Sequence, residues 1–351
     1  MRLTSVLLLV SVLAASAWIT RLVREAAKRK QLLDTPNERS AHSRPTPRLG
    51  GIGIVAAFLP AFATLAILFD GGLVAVVVLV ATAAISVVGL WDDLRTLPAR
   101  TRLGAQTLAA TAVVVSAWER LPEAWSLFGW SVPHAFVGAL SVLWIVWITN
   151  LYNFMDGIDG LAAGQAVIAG CALAVASSAA GALLVANASA ALAVAALGFL
   201  AFNFPPASIF MGDVGSTAIG FFFACAPFLA RGGSVPVEAV GLALALFILD
   251  ATLTLLRRIA RRERLSQAHR THFYQRPLAL GIGHRRITLS AYAGMLAVGG
   301  LATRYGYGET RVRLLLIAAA AAVFVTYVSV VVGLEARAAT DAAVTAKSVD
   351  G

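Results

Sequence analysis

The sequence predicts an all-α polytopic membrane protein of about eleven transmembrane helices, with its N-terminus outside and its C-terminus in the cytoplasm. Three observations predict it. Hydrophobic residues make up 59% of the chain and charged residues only 13%, about half the charged share of a soluble domain. Apolar runs of 17–22 residues recur from end to end, with 104–118 shorter; runs of 17 or more are long enough to cross ~30 Å of hydrocarbon. The basic residues behind the formal charge of +10 crowd into alternate connecting segments, as positive-inside bias requires.

The first run, 3–21, follows Arg2 and contains Ala15, Ser16 and Ala17, which resembles a signal peptide. Cleavage would leave 18–48 outside with its eight basic residues, against the orientation rule, so it is read as a retained span. Runs 49–69 and 73–91 flank the short connection Asp70–Gly72. Runs 104–118 and 135–151 enclose a Trp-rich stretch whose Trp118, Trp125 and Trp130 suit an interfacial aromatic belt. The uncharged 161–202 holds 42 residues, enough for two spans. A turn at Gly181 divides it into 161–180 and 182–202, with Ser177–Ser178 as the competing turn. Runs 214–230, 236–256, 287–303 and 314–334 complete the set. Residues 1–334 therefore read as one transmembrane domain, and the polar, Ala-rich 335–351 as a disordered cytoplasmic tail.

With the N-terminus outside, 22 of the 28 Lys and Arg residues face the cytoplasm and six face outward. Topology thus accounts for the positive charge, and no nucleic-acid partner is expected. Cys171 and Cys225 both lie in apolar runs, which indicates neither a disulfide framework nor a zinc site. Five hydrophilic segments face the cytoplasm between spans: 22–48, 92–103, 152–160, 203–213 and 257–286.

The chemically unusual residues all fall on that face. Asp92 and Asp93 close the third span, where acids oppose the helix dipole and need a cation or a basic loop to stabilise them. Asn150–Gly160 holds Asn150, Asn153, Asp156 and Asp159 with no basic residue between long uncharged runs. Such a stretch is either a turn or one wall of a cation site. Asp213 opens the eighth span, as an N-cap or beside a phosphate at the helix N-terminus. Asp250 is a lone acid inside the ninth span; unpaired, it would cost on the order of 3 kcal/mol there, so it is expected to face the bundle interior or the site. His269 and His272 have i,i+3 spacing, which would put both rings on one helical face, and His284 follows in a loop rich in arginine. Acids and amides facing a His/Arg loop suit magnesium on a pyrophosphate gripped by cationic side chains, the requirements of in-line phosphoryl transfer.

At this point the chain resembles the polyprenyl-phosphate N-acetylhexosamine-1-phosphate transferases (glycosyltransferase family 4). Five elements in order carry the resemblance. They are Asp34-Thr-Pro-Asn-Glu-Arg with Pro45-Thr-Pro-Arg-Leu-Gly-Gly; Trp91-Asp-Asp with Arg100-Thr-Arg-Leu-Gly-Ala-Gln; and Asn150-Leu-Tyr-Asn-Phe-Met-Asp-Gly-Ile-Asp-Gly. Next come Asn203-Phe-Pro-Pro-Ala with Phe210-Met-Gly-Asp-Val-Gly-Ser, and Asp250 leading into Arg257-Arg258 and His269-Arg-Thr-His-Phe-Tyr-Gln-Arg. The resemblance implies a helical bundle with a groove on its cytoplasmic face and a lipid path between helices. It implies Mg2+, with Mn2+ as the alternative, on Asn153 and Asp213. Asp92 and Asp93 match the catalytic carboxylates, Asp92 being preferred for activating the lipid phosphate, and Asp156 supports the metal or the sugar-phosphate. Asp159 is left as a turn or cap. His269, Arg270 and His272 match a loop that holds pyrophosphate and sugar. Thr96 stands where many members carry a third acid, and Ser208 near a position that is often basic. The histidine loop is similar to that of the O-antigen-initiating subgroup.

The expected function is transfer of an N-acetylamino-sugar 1-phosphate from a UDP-sugar to undecaprenyl phosphate, releasing UMP. It would be the first membrane step of cell-surface polysaccharide synthesis, in the bacterial inner membrane, with a homodimer left open. A transporter of an anionic or sugar-linked substrate is the alternative. It is disfavoured because only Asp250 is clearly within a span and Gly/Pro breaks do not gather mid-span. A CDP-alcohol phosphotransferase is also disfavoured, because the Arg and later spaced aspartates of its pattern are missing.

Overall fold

The computed structural model describes residues 3–36, 44–121, 124–127, 130–230, 234–263, 271–305 and 309–349. It is an all-α polytopic membrane protein. Every predicted run is helical: α1 (Leu3–Arg29), α2 (Gly51–Leu68), α3 (Gly72–Arg95), α4 (Ala99–Ser116), α5 (His134–Phe154), α6 (Leu161–Ala179), α7 (Leu183–Asn203), α8 (Asp213–Leu229), the pair α9 (Val237–Ala243) and α10 (Ala245–Ala260), α11 (His284–Tyr305) and α12 (Thr310–Val349).

Among the described residues, seven helices are long and apolar enough to cross a membrane, or eight if α9 and α10 together make one crossing. That falls short of the expected eleven, and the reasons differ by helix. Arg100, Arg102 and Gln106 dilute the start of α4. Three basic residues, His284, Arg285 and Arg286, open α11. The 17-residue α8 is short, but every residue from Val214 to Leu229 is buried. It is the central pillar, packed between α3, α5 and α2.

The ninth run differs most from expectation. It bends by 83° at Leu244 rather than running straight. Neither Gly nor Pro marks the bend. Instead the buried Gln165 of α6 donates its amide N–H to the Ala243 carbonyl at 2.9 Å, satisfying a group near the break. Gly181, with φ 73°, turns α6 into α7, as expected.

Small residues set the helix spacing, as they do where no hydrophobic force separates helix from lipid. A Cβ on Gly198 would stand 2.7 Å from the Leu13 carbonyl, so α7 lies directly on α1. Ser16 of α1 ties the same contact by donating to the Ala195 carbonyl at 2.6 Å. Two short antiparallel pairs complete the fold. β1 (Leu33–Asp34) pairs with β2 (Thr46–Pro47), and β3 (Ala124–Leu127) with β4 (Trp130–Pro133). The second pair lies in the Trp-rich stretch 118–134, where Trp118 packs on His134 with ring centres 4.6 Å apart. The side chains of Trp125 and Trp130 lie outside the described residues. The stretch expected to be a disordered tail instead continues α12 to Val349, which its alanines favour.

Candidate active site

The five hydrophilic segments meet at one end of the bundle. Their junctions are hydrogen bonds between residues far apart in sequence. The Phe210 N–H donates to the Pro47 carbonyl at 2.8 Å, and the Gly50 and Gly51 N–H groups return to the Phe210 and Met211 carbonyls at 2.9 and 2.8 Å. This zips 44–51 onto the loop before α8. Arg24 of α1 reaches Ser208 Oγ at 3.3 Å and lies over the Phe202 ring. A guanidinium from another helix therefore stands beside the position where the chain itself supplies only Ser208.

Asp92 and Asp93, in the last turn of α3, are stabilised in different ways. Asp93 accepts the Asp213 N–H on Oδ1 at 2.9 Å and the Val214 N–H on Oδ2 at 3.0 Å. It caps α8 from a neighbouring helix, satisfying two of the N–H groups that a helix start leaves unpaired. Gly212 is required for this: its φ is 76°, and a Cβ there would stand 2.6 Å from Asp93 Oδ2. Asp92 accepts the Leu97 N–H and the Arg102 guanidinium. The chain doubles back at Thr96, with φ 35°, and Pro98 before entering α4, which returns Arg102 to Asp92. Arg102 Nη1 also lies 3.4 Å from Asp213 Oδ2. Arg102 thus bridges the Asp92 and Asp213 carboxylates. The motif containing it was visible in the sequence, but no helical spacing links position 102 to position 92 across that turn.

Asn153 lies in the last turn of α5, and its Oδ1 accepts the Ser216 hydroxyl at 2.6 Å, one turn into α8 from Asp213. Asn150, one turn earlier, donates to Gln106 Oε1 of α4 and stays out of the acid cluster. Asp156 follows where α5 ends at Met155. Burial, together with the neighbouring carboxylates Asp213, Asp93 and Asp159, pushes its carboxyl well above the usual carboxylate range. Asp159 fastens the loop. It accepts the Ala207 N–H at 2.9 Å, lies 3.2 Å from His284 Nδ1, and its carbonyl accepts the Thr288 hydroxyl at 2.8 Å. Asp159 is therefore more than the turn or cap expected: its carboxylate ties the loop to Ala207 and to His284 of α11.

The opposite wall is the turn at His272. His269 and Arg270 lie outside the described residues. His272 is buried and opens a tight turn rather than standing on a helical face, with the Gln275 and Arg276 N–H groups returning to its carbonyl. Asp250 of α10 organises this turn. Its Oδ1 lies 3.2 Å from His272 Nδ1 and accepts the Phe273 N–H at 3.0 Å, and its Oδ2 accepts the Tyr274 N–H at 3.0 Å. Asp250, the acid deep within the ninth run, is therefore buried and satisfied, facing the bundle interior. The Tyr274 hydroxyl donates to the Phe154 carbonyl at 3.1 Å, fastening the turn to the Asn150–Gly160 loop. Burial beside Asp250 and Asp156 raises the Tyr274 phenol well above its ordinary value.

The site is thus acidic on the α3, α5 and α8 side, with Arg102 set among the carboxylates. Its donors there are hard oxygens, from Asp92, Asp156, Asp213 and Asn153. Among the described residues no group of three His, Cys, Asp or Glu side chains forms a ready-made metal cage.

Comparisons with known proteins give the family of the chain. Residues 75–230 match the family model described as glycosyl transferase family 4. The chain is 32% identical over 284 residues to a probable undecaprenyl-phosphate N-acetylglucosaminyl 1-phosphate transferase of Bacillus subtilis, covering 78% of this chain and 77% of that one. It is 34% identical over 320 residues to a decaprenyl-phosphate N-acetylglucosaminephosphotransferase of Mycobacterium tuberculosis, covering 79% and 77%. An undecaprenyl-phosphate alpha-N-acetylglucosaminyl 1-phosphate transferase of Thermotoga maritima is 26% identical over 221 residues.

Proposed function

The chain belongs to the polyprenyl-phosphate N-acetylhexosamine-1-phosphate transferases of glycosyl transferase family 4, and from that premise we propose that it transfers N-acetylglucosamine 1-phosphate from UDP-N-acetylglucosamine to undecaprenyl phosphate, releasing UMP. The donor sugar follows the names of the relatives. The acids would face the cytoplasm, where UDP-sugars are made, with all eleven helical segments crossing a bacterial plasma membrane. One observation carries the reading. Asp92, Asp93, Arg102 and Asp213, from helices some 120 residues apart in sequence, meet at the N-terminus of α8, where Asp93 takes the first N–H groups and the remaining carboxylates suit a cation that would carry the phosphates.

Asp213 and Asn153 are the proposed holders of Mg2+. Their oxygen-only donors suit an ion that takes one or two protein ligands and keeps the rest of its shell for water and phosphate. When bound, the ion neutralises pyrophosphate charge. Arg102 presents its guanidinium to the incoming lipid phosphate and leaves its carboxylate partners as it does so. Asp92 then orients that phosphate and accepts its proton if one is present. A lipid phosphate oxygen attacks the donor's β-phosphorus, a P–O bond forms, and the bond to the α-phosphate bridging oxygen breaks, leaving UMP. Asp156 supports the sugar-phosphate side, and the His272 turn, with His269 and Arg270, grips the remaining phosphate charge.

Purified protein in detergent, given undecaprenyl phosphate, Mg2+ and UDP-N-acetylglucosamine, should release UMP and form a lipid of the corresponding mass. Chelation by EDTA should stop the reaction, and added Mg2+ should restore it. Folded protein that releases no UMP from any of a panel of UDP-sugars would overturn the proposal.

The bend between α9 and α10 is what a transporter would use. Here the break is sealed by Gln165 and buried rather than opening onto a polar path. Substrate flux into proteoliposomes without UMP release would favour that second reading.

A further inference from the structure

The His272 turn is held from outside as well as from within. Segment 257–286 contains nine arginines and one acid, Glu263, which lies 3.5 Å from Arg258. A loop so charged repels itself, and its order depends on acids supplied by other elements. Asp159 meets His284 at the end of the segment, and Asp250 is the inner acid of the His272 turn. The outer one is Glu335, on α12 just beyond the predicted end of the last apolar run. Its Oε1 accepts Arg276 Nε at 2.7 Å, and its Oε2 accepts Nη2 of the same guanidinium. Both side chains are largely shielded, at 31% and 19% exposed. A bidentate, half-buried pair is the strong form of this interaction.

The Arg276 guanidinium also lies over the Phe273 ring, 4.8 Å from its centre, with Arg257 near the same ring at 5.6 Å. Phe324 of α12 meets that ring edge-on at 6.3 Å. Phe273 is thus fixed by its N–H to α10 and by its ring to α12, and its chain neighbours are His272 and Tyr274.

We propose that Glu335 is a positioning residue, which through Arg276 and Phe273 holds the His272–Tyr274 turn against the acid loop, so that the last helix sets the grip on the donor's phosphates. This rests on the reading that the turn meets the donor. The bound donor needs the turn already ordered; without Glu335, binding must itself order the loop, and affinity falls. The lipid phosphate meets Asp92 and Arg102 on the other wall, and its affinity does not depend on the clamp.

The test is a double-mutant cycle on the full chain in detergent, with KM measured separately for donor and acceptor. Glu335→Ala and Arg276→Ala should each raise the donor KM roughly fivefold and leave the acceptor KM unchanged. The double variant should be no worse than the worse single one, because each removes the same contact. Multiplied effects in the double variant, an unchanged donor KM, or an equal rise in both KM values would overturn the proposal. Hydrogen exchange gives a second readout. Glu335→Ala should speed exchange at the Phe273 and Tyr274 amides and leave those of 157–161 unchanged; unaltered exchange at both amides also overturns it. Wild-type protein without turnover would sink the functional reading alone, since exchange tests the clamp without catalysis.

Discussion

Asp92 and Asp93 are neighbours in the chain and meet different partners. Both Asp93 oxygens accept the first N–H groups of α8, whereas Asp92 is paired with Arg102. Asp93→Ala should therefore cost about 1–2 kcal/mol as a lost helix cap and lower the thermal midpoint by a few degrees. Asp213→Asn should abolish nearly all turnover with an unchanged or higher midpoint, because it relieves a crowd of carboxylates. Thermal unfolding of both variants beside a UMP assay distinguishes the two roles; an unshifted midpoint in Asp93→Ala would remove the cap. The acids and Asn153 were readable from the chain because they sit in an uncharged neighbourhood. Arg102 was not, because the turn at Thr96–Pro98 that returns it to Asp92 is a backbone event with no periodicity. Nor could sequence separate the work of two adjacent aspartates, which depends on what lies 120 residues away.

Among the elements, α9 and α10 show where hydropathy stops being informative. A continuous apolar run reads as one straight span, and composition records no bend without Gly or Pro at the break. The 83° bend is instead held by a contact from α6, through Gln165. Gln165→Leu keeps the volume and the apolar surroundings but leaves the Ala243 carbonyl unpaired, at a cost of about 1–3 kcal/mol. The thermal midpoint in detergent should fall accordingly; no shift would mean that the carbonyl finds another partner. The bend carries Asp250 to the His272 turn, so it also decides why an acid inside an apolar run is satisfied.

At the scale of the whole molecule, orientation is the quantity to measure. In a background with Cys171 and Cys225 replaced by alanine, Asp70→Cys should react with a membrane-impermeant thiol reagent on intact spheroplasts. Arg337→Cys should react only after permeabilisation, and the reverse pattern would invert the proposed topology. The chain alone was enough to establish a polytopic helical membrane protein, the position of each helical run, and the gathering of acids and amides in one set of loops. These follow from local composition: a hydrocarbon-spanning helix must be continuously apolar, and a polar cluster beside it stands out against that background. Only the folded molecule decided that the ninth run bends, that α12 continues to Val349, that Asp93 caps α8 while Arg102 bridges Asp92 and Asp213, and that Asp250 holds the His272 turn while Glu335 pairs with Arg276. Each of those depends on a directional contact between residues distant in sequence, and a hydrogen bond of that kind leaves no trace in hydropathy or spacing.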